Sequence, residues 1–253
     1  MLASLTIKDL PSHYRPYPKP FKVRVEPFRV RDVEALASIE DPIDQIEYLL
    51  RGITLERRGG ILVDPKELVS MDFFYIGVSR MLASGFNELK LRAMCPEGHV
   101  HSYVIPMTQV DFYELEVDVP VYIEIDDPKI HEIILMPDTI ARVLEAREAG
   151  LFDEGNPIKM LALTLVAYKD SKGERHDLSV EEAIKVLEAL PASVLDPLDY
   201  YAAGLTARIK PFKLKCKTCG GEFETAPVGN LLDMIKPFRS PEGAPRVKVR
   251  FGD

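Results

Sequence analysis

Two stretches of this chain read as copies of one another, and a duplicated module has to fold twice with the same order of elements. MDFFYIGVSRML, from Met71, matches LDYYAAGLTARI, from Leu198, position for position. Each leads through a short apolar strand to a cysteine of the metal-binding kind, Cys95 in the first copy and Cys216 in the second. The offset between matched positions drifts from 115 (Pro42 to Pro157) through 127 (Asp72 to Asp199) to 121 (Cys95 to Cys216), so small insertions and deletions fall in the connecting loops.

The rest of the pattern can be built outward from that match. PFKVRVEPF, from Pro20, puts Phe21, Val23 and Val25 on one face, the period-two signature of a half-buried strand, and KIHEIILM, from Lys129, is a weaker counterpart. A short helix follows in each half, over 32–38 and 139–149, with Gly150 as the stop of the second. Asp41-Pro42 then opens DPIDQIEYLLRG, and Asn156-Pro157 opens NPIKMLALTLVA. A capping carboxylate or amide followed by proline at the first helical position is a strong start signal. Ile43, Ile46 and Leu50, and likewise Ile158, Leu161 and Leu165, supply one core-facing stripe each. Another capped helix starts at Asp64-Pro65-Lys66-Glu67 in the first half and at the capping box Ser179–Glu182 in the second. Gly77 stands opposite Gly204, a pairing that predicts close helix packing. Between the copies, VPVYIEI and KIHEIIL are two strands joined by a turn at Asp126-Asp127-Pro128.

The expected fold is therefore α+β: a tandem pseudo-two-fold repeat, each copy made of helices plus short antiparallel strands and ending in a zinc-ribbon-like knuckle. The expected divisions are an N-terminal arm over 1–20, repeat one over 21–127 with its knuckle at Cys95, repeat two over 128–235 with its knuckle at Cys216 and Cys219, and a C-terminal arm over 236–253. The last of these is rich in Pro and Gly and holds five basic residues against two acidic ones.

The cysteines narrow the chemistry. There are three, an odd number, and two form Cys216-Lys217-Thr218-Cys219-Gly220-Gly221. That pattern fits metal binding in a reducing compartment better than a disulfide framework. Two thiolates leave a tight turn, and the glycines behind the second permit the left-handed backbone such a turn needs. The first copy reads Cys95-Pro96-Glu97-Gly98-His99-Val100-His101, so a histidine has to replace the second cysteine. The expected site is one tetrahedral structural zinc held by Cys95, His99, Cys216 and Cys219, with His101 as the alternate to His99. The competing reading of these cysteines is buried apolar packing.

Other functions find less in the residues. A net charge of -8 weighs against a general nucleic-acid binder. No apolar run reaches the length of a membrane span, and the first ten residues lack the core of a signal peptide. Phosphate loops, nucleophile elbows and zinc-protease motifs are missing, so no catalytic residue and no small-molecule substrate are expected.

Several short motifs carry a family resemblance. Leu10-Pro11-Ser12, Arg15-Pro16-Tyr17-Pro18, KVRVEPF, Leu36-Ala37-Ser38 and Asp41-Pro42-Ile43 resemble the opening of the baseplate hub and hub-assembly proteins of T-even-like contractile-tailed bacteriophages. The helix at MDFFYIGVSRMLASG, the strand LKLRAMC, the knuckle and Val110-Asp111-Phe112 continue in the same order, so the resemblance covers residues 8–145. Members commonly carry C-P-x-C-G at the knuckle. This chain departs from that at Gly98-His99, which is why His99 is recruited. The resemblance implies a non-catalytic part or assembly factor of a tail hub, made in the host cytoplasm, with a place in the virion baseplate and other hub subunits as partners. Tyr14, Arg15, Tyr17 and Phe21 of the N-terminal arm and Arg246, Lys248 and Arg250 of the C-terminal arm are the expected partner-binding residues, since aromatics and arginine dominate interface energetics. The alternative reading is a zinc-ribbon nucleic-acid-binding regulator.

Overall fold

The computed structural model describes residues 4–151, 156–206 and 208–225. It is a mixed α+β structure in which two four-stranded antiparallel sheets and two two-stranded hairpins alternate with seven helices. The first half runs β1 (Leu5–Ile7), β2 (Lys22–Val25), α1 (Val30–Ser38), α2 (Pro42–Leu50), β3 (Ile53–Arg57), β4 (Ile61–Val63), α3 (Ser70–Ala83), β5 (Glu88–Met94) and β6 (Val100–Pro106). The second runs β7 (Val121–Glu124), β8 (Ile130–Leu135), α4 (Ile140–Glu148), α5 (Pro157–Ala162), β9 (Leu165–Asp170), β10 (Arg175–Asp177), α6 (Val180–Ala189), α7 (Ala192–Leu205), β11 (Phe212–Lys215) and β12 (Glu222–Thr225). The sheets are ordered β1-β2-β3-β4 and β10-β9-β8-β7, so each half lays its strands side by side in chain order. One continuous apolar core extends from Ile7 to Phe223 and joins the two halves. Among the described residues, no helix is long and apolar enough to cross a membrane.

Local chemistry explains most of these elements. The Asp41 carboxylate accepts from the Ile43 amide at 2.8 Å and starts α2, whose Ile43, Ile46, Leu49 and Leu50 are buried. Ser179 and Glu182 bond reciprocally through the capping box that starts α6. The Asp127 carboxylate accepts from the amides of Lys129 and Ile130 and closes the β7–β8 turn. Strand β5 alternates without a break, exposed at even positions and buried at odd ones.

Three expectations need correction. The helix opened by Asn156-Pro157 stops at Ala162, and Leu165 lies on β9 rather than on a helical stripe. The reason is Arg142 of α4. Its guanidinium donates to the carbonyls of Ala162 and Leu163 at the helix end, acceptors that a longer helix would have paired, and reaches on to those of Leu165 and Leu178. The signal at Asp64 yields a single 3-10 turn over Pro65–Glu67. A Cβ on Gly204 would meet nothing within 4 Å, so its match to Gly77 does not mark close packing there.

The N-terminal segment is also not an extended arm. Strand β1 pairs with β2, Leu10 and Ser12 are buried, and the Leu115 amide donates to the Pro11 carbonyl at 3.0 Å. This strap is fastened to α3 through Asp72, which accepts from the Ser12 amide (3.0 Å), the Ser12 hydroxyl (2.6 Å) and the Tyr17 hydroxyl (2.7 Å). The Tyr17 hydroxyl in turn accepts from the Val69 amide at 3.0 Å. His13 and Tyr14 between them hold left-handed backbone at φ 51° and 61°, a strained conformation for side-chain-bearing residues that the bonds on either side enforce.

Two tests follow. Arg142→Lys should lower unfolding free energy by about 2 kcal/mol or more in denaturant titration, because one ammonium cannot serve four carbonyls. Burial pushes the Asp72 carboxyl up to about 6, against the bonds from Ser12 and Tyr17 that favour its charged form. Its folded pKa thus exceeds the unfolded one. The charged form costs stability above that range, and the cost fades as pH falls through about 6 towards 4. Relative to Asp72→Asn, the protein should therefore gain about 1 kcal/mol of stability between pH 7 and pH 5, read from thermal melts.

Candidate metal centre

The two hairpins bring their turns together. In β5–β6 the chain reverses over residues 95–99, with the Cys95 amide donating to the His99 carbonyl at 3.0 Å and the Gly98 amide to the Cys95 carbonyl at 2.9 Å. In β11–β12 the Cys216 amide donates to the Gly221 carbonyl at 2.8 Å and the Gly220 amide to the Cys216 carbonyl at 3.0 Å. Each turn contains one left-handed glycine, Gly98 at φ 82° and Gly220 at φ 73°, and a side chain at either would be strained.

These turns gather four ligand atoms from Cys95, His99, Cys216 and Cys219, all within 4.8 Å of one another. Cys95 Sγ is 3.5 Å from His99 Nδ1 and 4.0 Å from Cys219 Sγ. Sulfur and nitrogen ligands placed tetrahedrally around one zinc-sized ion stand roughly 3.5–3.8 Å apart, so the set is already near the spacing it needs. Cys95 and Cys216 are buried and Cys219 is exposed, which places the centre just under the surface. The amide of Cys219, joined by that of Thr218, points at Cys216 Sγ at 3.5 and 3.4 Å. These amides, with the neighbouring thiols, lower the Cys216 thiol to about 6 and favour the thiolate, the form that binds metal. The four residues can hold one metal ion, and a three-cysteine, one-histidine set is compatible with zinc.

His101 has a different task. It sits on β6 opposite Ala93, and its Nε2 lies 3.0 Å from the Thr218 hydroxyl, a side-chain bond between the two hairpins. Tyr103 adds a bond from its hydroxyl to the Lys215 carbonyl at 3.3 Å and an edge contact with Phe223. Lys217 crosses back to the Ser102 carbonyl at 2.7 Å. The hairpins are thus joined by contacts beyond the four ligand atoms.

The residues expected to bind partners fall elsewhere. Tyr14, Tyr17 and Phe21 form an aromatic cluster, with Tyr17 and Phe21 centroids 4.7 Å apart, and Phe21 is buried. Arg15 donates to the carbonyls of Leu115 and Val117. All four are engaged within the chain. Arg246, Lys248 and Arg250 lie outside the described residues.

A second cluster, not anticipated from the sequence, lies on the β9–β10 hairpin, which brings ligand atoms of Asp170, Glu174 and His176 to within 4.8 Å of one another. The Asp170 carboxylate is occupied there: one oxygen accepts from the Lys172 and Glu174 amides, and the other faces His176. The D-x-x-x-E-x-H spacing across a turn was the available signal.

Comparison of this chain with protein-family models, with curated proteins and with solved structures gives no match.

Proposed function

We propose that this protein is a non-catalytic building block, a duplicated module whose two halves are pinned by one structural zinc ion. It serves as a component or assembly factor of a contractile-tail baseplate hub. The observation that carries the scaffold reading is the origin of the ligands: Cys95 and His99 come from one hairpin, Cys216 and Cys219 from another 121 positions along the chain. Neither turn has a full set, so an ion there joins the halves. With four protein ligands it would have no open position for a reactive water, which is the arrangement of a structural and not a catalytic centre. The duplication is supported by the matching sheet orders and by each half ending in a helix followed by a knuckle-bearing hairpin. The hub assignment rests on the motifs between Leu10 and Phe112.

Metal analysis of protein purified without chelator should give about one zinc per chain. Cys95→Ser and Cys216→Ser should each remove it, His99→Ala should weaken it, and His101→Ala should leave it bound. Zinc lost only on changing Cys216 would mean that the first hairpin contributes nothing and that the shared-ion reading is wrong. The hub assignment is checked by mixing the purified protein with tail-hub and wedge subunits from a contractile-tailed phage. Co-sedimentation with a hub subunit is expected, and failure to associate with any of them would defeat it.

A further inference from the structure

The two hairpins share their inner faces and differ on their outer ones. On β11–β12 the outward residues are Lys213 and Lys215 opposite Glu224 and Glu222, two cross-strand pairs of opposite charge suited to water. On β5–β6 the outward residues are Glu88, Lys90, Arg92 and Met94, facing Pro106, Val104, Ser102 and Val100. Here Met94, Val100 and Val104 are 36%, 45% and 56% exposed, on a ribbon whose other face is buried. Lys90 and Arg92 stand among them with no ion pair to any described residue. The second hairpin shows that the fold does not need an apolar face at this position, since it does without one.

We infer that the outer face of β5–β6 is a docking surface for an acidic, aliphatic segment of a partner protein. The charge pattern selects that occupant. A second copy of the chain would set Lys90 and Arg92 against the same two cations, with Glu88 as the one acidic residue on the face to oppose them. Nucleic acid would engage the cations but leave Met94, Val100 and Val104 uncovered, and the chain as a whole carries a charge of -8. A segment alternating carboxylates with aliphatic side chains satisfies both features: its charges meet Lys90 and Arg92, and its apolar residues cover the Met94–Val100 pair and Val104. This inference concerns a binding surface and stands whether or not the partner is a tail-hub subunit.

The test uses the full chain and a ten-residue probe peptide alternating aliphatic residues with carboxylates, read by fluorescence anisotropy and by amide chemical-shift mapping. Shifts should concentrate on residues 88–106. Val100→Glu/Val104→Glu should weaken binding roughly tenfold or more, and Lys213→Glu/Lys215→Glu, which likewise makes the outer face of the other hairpin more acidic, should leave it unaltered. Lys90→Glu/Arg92→Glu keeps every apolar contact, so it should lose the acidic peptide and gain a version with lysines in place of the carboxylates. That exchange also guards against a folding defect in the first variant. Equal binding by the protein and both β5–β6 variants would overturn the proposal. So would an oligonucleotide that maps to this face while the peptide does not, or a chain dimer that Val100→Glu/Val104→Glu dissolves.

Discussion

The first turn of α3 is where chain-distant segments have to agree. Asp72 receives the strap through Ser12 and Tyr17, and the Val69 amide is satisfied by the same tyrosine hydroxyl. One residue away, Ser70 bonds Asp138 of the second half through both amide and hydroxyl, while Val69 bridges Thr139 and the Leu68 carbonyl accepts from Ile140. The start of a helix exposes amides that lack partners within the helix. Here those amides and the side chains beside them serve as the junction between strap, first half and second half. A buried carboxylate with three donors is costly to desolvate and more costly to leave unpaired, so the strap is held in register.

The two halves use similar means from different places. In the first, Arg80 of α3 donates to the carbonyls of Glu26 and Leu49, and its guanidinium fills the space over Gly52, where a Cβ would lie 2.1 Å from the arginine. In the second, Arg142 of α4 gathers the carbonyls of Ala162 and Leu163 at the end of α5. Each cation, Arg80 buried and Arg142 half-buried, finishes the helix that leads into the third strand of its sheet. Positions that match in the sequence differ just as far: Asp72 is buried and bonded, and Asp199, which aligns with it, is exposed. The similarity therefore lies in the order of elements and not in shared side-chain contacts.

What was legible in the sequence was whatever is decided within a few residues. The caps at Asp41, Asn156 and Ser179, the alternation of β2 and the Asp127 turn carry their own local logic. So does the C-x-x-C turn, and the spacing around Cys95 left only His99 or His101 to complete a ligand set. Their different placement follows from the hairpin, which leaves His99 inside the turn and puts His101 on the strand against Thr218. What was not legible depended on partners far away. Nothing near Asn156 announces that Arg142 will take the carbonyls of the following turn. Nothing near Tyr17 announces a carboxylate 55 positions later, so a segment dense in proline and aromatics read as a free arm.

The separation of the two ligand pairs bears on the unfolded chain as well as the folded one. An ion shared by Cys95 and Cys216 closes a ring of about 120 residues. Cross-linking a loop of that size withdraws roughly 4–5 kcal/mol of conformational freedom from the denatured ensemble. The same cluster confined to one hairpin would remove much less. Long-range placement would thus make an ion bound at this centre a staple acting over nearly half the polypeptide, with much of its leverage exerted on the chain before it folds.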